Sequence, residues 1–216
     1  MTTSDASELG RLVAPVHRLI RHEVTRLAEA VGTVGAGDER RAEALGTWAF
    51  DVADLLHHHL RGVATIRSAL SGEDDAAVRE AVRAGDRDHR ALASEVALAM
   101  GAAVRWQDGA GTADRDALAV HLGRLRSGTT VAFARVEGDL AAAADRLVPS
   151  STRVRAAGHA LAALRGRRRL ALLGGLVVGG DEPAGRRGLV GARRALARRE
   201  YLRRTVALRR PAADSG

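Results

Sequence analysis

Four successive stretches of this chain place apolar side chains every three to four positions. That period fits α-helices and does not fit strands. In the first, Val13, His17, Ile20, Val24, Leu27 and Val31 form one stripe, predicting a helix over 4–31 with Ser4 as its N-cap. A Gly-bearing break at 32–37 precedes a second helix over 38–70, whose stripe runs through Trp48, Val52, Leu55, His59, Val63, Ile66 and Leu70. Asp74 or Asp75 caps a third over about 75–106, with Val78, Val82, His89, Leu92, Val96 and Met100 inward. A loop with Gly109 and Gly111 leads to a fourth over 112–147, ending before Pro149.

Short connections make neighbouring helices antiparallel, so the expected fold is all-α: an up-down-up-down four-helix bundle over 1–149. Shorter helical pieces at 152–165, 168–178, 184–190 and 193–208 are expected to form a C-terminal extension, 150–216, packed on the bundle. Composition agrees, because aromatic residues are only 2% of the chain while Ala, Leu, Arg and Glu dominate.

Charge separates the same two parts. Residues 153–210 hold 16 Arg against Asp181, Glu182 and Glu200, a net of +13, whereas 1–152 hold 18 Arg against 22 acids, a net of −4. The extension is expected to bury Leu161, Leu164, Leu170, Leu173, Leu176 and Val177 against the bundle and to turn its Arg outward. Cysteine is absent, which removes disulfides, thiolate ligands and a cysteine nucleophile, so any metal must be held by His, Asp or Glu. The N-terminus has no signal-peptide pattern, and the longest apolar run, 170–178, is far short of the roughly 20 residues that span a bilayer. A cytoplasmic location is expected.

Three of the eight histidines, His17, His59 and His89, lie within apolar stripes. Counted from the predicted helix ends at about 1.5 Å per residue, all three fall at one level of an antiparallel bundle, opposite 132–137 of the fourth helix. At least one of His57 and His58 is expected to face solvent or a neighbouring helix. His22 belongs to a charged surface, and His121 and His159 lie away from that level.

The segments VHRLIRHE around His17, DLLHHHLRG around His57 to His59 and DRDHRAL around His89, with GHALAAL, LALLGGLVVG and ARREYLRR in the tail, resemble the hemerythrin-like, or HHE cation-binding, proteins of actinobacterial type. The resemblance implies a four-helix bundle in which inward His and two bridging carboxylates hold a pair of non-haem irons that bind dioxygen. The chain departs from that pattern. Val63 stands where the resemblance implies a bridging Glu, and Ala132 and Val136 stand for a His and a Glu on the fourth helix. Glu137 is the one carboxylate kept, and Ala93 replaces a second His on the third helix. Bridging carboxylates neutralise the charge of two ferrous ions, so a complete di-iron site is not expected. His17, His59, His89 and Glu137 remain as ligands for at most one divalent ion, iron or zinc.

The resulting expectation is a non-catalytic binding protein related to oxygen- and iron-binding bundles. The alternative is a metal-free scaffold whose Arg-rich tail contacts nucleic acid, an anionic membrane or a protein partner, through 165–169, the Arg pairs at 186, 193, 198 and 203, and 209–211. No nucleotide-binding loop, zinc-protease motif or nucleophile–base pair points to an enzyme. Asp51, Asp54, Asp86 and Asp88 read as solvated helix faces.

Overall fold

The computed structural model describes residues 7–179 and 191–206, and these are all-helical, without a strand. The helices are α1 (Glu8–Val31), α2 (Glu39–Leu70), α3 (Ala76–Gly109), α4 (Thr112–Arg135), α5 (Ala141–Leu147), α6 (Ser150–Ala163), α7 (Gly166–Val178) and α8 (Gly191–Thr205). A π-helical turn, Val136–Leu140, joins α4 to α5. The predicted piece at 184–190, the Arg pair at 186 and the 209–211 motif lie outside the described residues, as does Ser4.

Local sequence explains the helix starts. The Ser7 hydroxyl accepts the Gly10 N–H at 2.9 Å, the Asp38 carboxylate that of Arg41 at 3.1 Å, and Asp75 those of Ala77 and Val78, each supplying an acceptor to an otherwise orphaned amide. At the end of α3 the left-handed residue is Ala110, φ 46°, rather than either neighbouring glycine. The Ala110 methyl is buried in the core, and that packing offsets the cost of the left-handed conformation.

The long helices pair α1 with α2, α2 with α3, α3 with α4, and α4 with α1, while α6 lies on α2 and α7 packs on α8 and α1. Their buried side chains fall into two apolar clusters. One includes Ile20, Leu55, Leu92 and Leu125, and the other Val13, Val63, Val82 and Leu140. On each long helix the change from one cluster to the other falls close to His17, His59, His89 or Glu137. The first cluster continues into Leu161, Leu172, Leu176 and Tyr201, so the C-terminal helices share one core with the long ones.

Two expectations change here. The single helix foreseen over 112–147 is interrupted by the π turn, whose extra residue shifts the register around Glu137. Nor do all Arg of the extension turn outward. Arg153 is buried and reaches Glu8, Asp145 and the Val148 carbonyl, while Arg168 and Arg204 bind Asp51. Arg168 and Arg204 neutralise Asp51, which docking would otherwise leave buried and unpaired, whereas Glu8 stays partly exposed and it is Arg153 that is buried there. No helix among the described residues is long and apolar enough to cross a membrane.

Candidate functional site

His17 and His59 are buried because their positions lie on the apolar stripes of α1 and α2. Their Nε2 atoms meet at 2.8 Å, and the other ring nitrogen of His17, Nδ1, is 2.6 Å from Glu137 Oε1. Phe133 stacks on the His17 ring at 3.9 Å, 7° from parallel, and meets His59 edge-on. Arg21 approaches the Glu137 carboxylate from the surface at 3.4 Å.

Electrostatics assign the protons. Burial pushes the His59 imidazole well below the ordinary histidine range, and burial lowers His17 despite the opposing pull of Glu137. The hydrogen bond from His17 holds the Glu137 carboxyl below its usual range. With both rings neutral, His17 donates Nδ1–H to the carboxylate and its bare Nε2 accepts Nε2–H from His59. His59 Nδ1 is then a lone-pair acceptor, buried and without a hydrogen-bond partner.

His59 borders a small cavity between α2, α3 and α4, in which the centre of a water molecule has about 20 Å3 to move, room for one. Val63, Ala132, Val136 and Leu140 give it a mostly apolar wall. His89 lines the same cavity but is only half-buried, and its Nδ1 also lacks a partner. Burial, with Arg67 nearby, lowers its pKa. Of the four expected ligands, the structure therefore joins Glu137, His17 and His59 in a hydrogen-bonded row and leaves His89 across the cavity.

These residues do not fit a two-metal centre. The positions that the resemblance gives to ligands at 63, 132 and 136 are aliphatic and line the cavity, and the Glu137 carboxylate is engaged by His17 Nδ1. A tetrahedral metal with bonds of about 2.0–2.1 Å would hold two ligand nitrogens about 3.4 Å apart. His17 and His59 are closer than that and bond to each other directly. Among the described residues, no group of three or more His, Asp or Glu side chains is placed to hold a metal ion.

Two polar centres escaped the sequence reading. Glu23, fully buried, accepts from Trp48 Nε1 at 2.9 Å and from the Tyr201 hydroxyl at 2.6 Å, with Arg26 Nη1 at 3.5 Å. Its place three residues after Ile20 and four before Leu27 on the α1 stripe was the available signal. Asp51, read as solvated, is 3% exposed and is bound by Arg168 at 2.5 Å and by Arg204. Compared with known proteins, the chain matches no family model, no curated protein and no solved structure.

Proposed function

We propose that the chain is a non-catalytic binding protein of the hemerythrin-like kind. In this reading α1 to α5 are an antiparallel up-down-up-down four-helix bundle, 150–216 is its Arg-rich helical extension, and the di-iron centre has given way to a metal-independent polar core. The reading rests on one observation above all, the direct 2.8 Å contact between His17 Nε2 and His59 Nε2 with Glu137 on His17 Nδ1. That row satisfies three of the four imidazole nitrogens without an ion. The cyclic pairing of the long helices supports the bundle, and the aliphatic wall at 63, 132 and 136 supports loss of the bridging ligands. Two facing imidazoles leave capacity for at most one loosely held divalent ion, iron or zinc. A cytoplasmic location accompanies this reading, in keeping with the absence of cysteine.

The test is anaerobic reconstitution with ferrous iron, desalting and exposure to air. The expected result is less than one iron per chain and no oxo-bridge absorption. Two irons per chain with an oxo-bridged spectrum would overturn the reading.

A further inference from the structure

Among the described residues, α6, α7 and α8 lie over α1 and α2, and the outer side of the α3–α4 pair faces solvent. Three ion pairs hold these two helices in antiparallel register: Arg105 with Asp114 at 2.9 Å, Glu95 with Arg124 at 3.4 Å and Asp88 with Arg135 at 2.6 Å. Between the outer two pairs the surface carries little charge. Residues 91–104 hold one charged side chain, Glu95, and 117–134 hold Arg124 and Arg126, in a chain of which 28% is charged. At about 100° per residue the buried Val96, Ala99, Leu122 and Leu125 turn inward, so Ala91, Leu98 and Gly101 of α3 share the outer side with Val120, Arg124 and Val131 of α4. Leu98 is 48% exposed, and Val120 and Val131 are 51% exposed.

We propose that this side docks on the same side of a second copy of the chain, about a two-fold axis parallel to α3 and α4 and above their seam. Such an axis lays α3 of one copy on α4 of the other at equal height. The ladder of ion pairs sets Gly101 level with Val120 and Ala91 level with Val131. Each valine therefore meets a glycine or an alanine of the other copy, and Leu98 enters beside the partner's Val120. Charge fits as well. Arg124 of each copy comes over the partner's Glu95, so two chains of net charge +8 touch where opposite charges pair. Lipid or nucleic-acid phosphates select a strongly basic surface, which this side is not. At about 1.5 Å per residue and about 10 Å between helix axes, the face measures about 20 by 20 Å. That outline is small beside the roughly 800 Å2 per partner of a standard interface, so a dimer that dissociates in the micromolar range is expected. The inference stands independently of the bundle's metal chemistry.

Sedimentation equilibrium of the full chain from about 2 to about 200 μM, in about 0.15 M salt, tests it. Monomer is expected at the low end and dimer at the high end. L98E/V120E replaces two exposed side chains, so it is expected to keep its helical circular dichroism and to dimerise at least about tenfold more weakly. Gly101→Leu offers a second reading. A Cβ there has only the end of the Arg105 side chain nearby, at 3.5 Å, so the fold is expected to accept it. The added side chain fills the place of the partner's Val120, and dimerisation is expected to weaken severalfold. L196E, an equally exposed change on α8, is expected to dimerise like the wild type. A chain that stays monomeric at about 200 μM would overturn the proposal. So would a dimer that L98E/V120E and Gly101→Leu leave unchanged, or one that L196E weakens as much.

Discussion

Tyr201 donates its hydroxyl to Glu23 at 2.6 Å, tying the last described helix to the first across 178 positions of sequence. Both groups are buried, and Trp48 completes the carboxylate's shell, so the contact is a polar clasp inside an otherwise apolar seam. Burial beside Glu23 raises the Tyr201 pKa, which keeps the hydroxyl a donor. Tyr201→Phe removes this donor and leaves a buried carboxylate oxygen under-satisfied. The expected loss of unfolding free energy is about 1–3 kcal/mol. Urea denaturation reads it directly, and an unchanged midpoint would contradict the clasp.

Stability is expected to fall as the pH is lowered below about 6.5, the ordinary histidine pKa. Burial depresses the imidazole pKa of both His17 and His59 in the folded state, so below that pH the unfolded chain binds more protons than the folded one. Glu137 adds a second acid-side loss. Its folded pKa is lowered by the His17 bond, and its contribution is present above the unfolded value near 4.5 and disappears as the pH falls through the folded one. Denaturant midpoints measured from pH 7.5 downward check this, and His59→Gln should flatten the histidine part of the slope.

Two helical glycines should respond oppositely to alanine. A Cβ at Gly62 would lie 2.4 Å from the Ala156 carbonyl oxygen, so Gly62→Ala forces α2 and α6 apart and should cost about 1–3 kcal/mol. A Cβ at Gly123 would meet nothing within 4 Å, so Gly123→Ala should add about 0.5–1 kcal/mol by lowering the entropy of the unfolded chain. Thermal melts of the two variants should move in opposite directions.

Gly174 allows the closest approach between α7 and α8. A Cβ there would lie 2.0 Å from the Ala197 carbonyl oxygen and 2.8 Å from the Tyr201 Cβ. Gly174→Ala is therefore expected to loosen α8 and to speed tryptic cleavage after Arg198 and Arg199, while leaving fragments of the long helices intact. Equal cleavage rates in variant and wild type would contradict a tightly docked α8.

The helical class, a cap at Asp74 or Asp75, of which the structure uses Asp75, and the inward stripes were legible in the sequence because each depends on neighbours within a turn or two of the chain. The shared level of His17 and His59 also followed from counting residues along helices of fixed rise. What the sequence could not decide was which polar groups would meet. The π turn that carries Glu137 toward His17 depends on packing against α1 and α3, and no local signal marks it. Asp51 was read as solvated because local pattern contains nothing about Arg168 and Arg204, which stand 117 and 153 positions away. His89 shared the level and the stripe, yet it only borders the cavity, which Phe133, stacked on the His17 ring, and Val136 also line. Local periodicity determined which faces turn inward. Only the tertiary structure decided how buried polar groups were paired, because a buried donor or acceptor takes whichever partner the packing of distant helices brings within hydrogen-bonding distance.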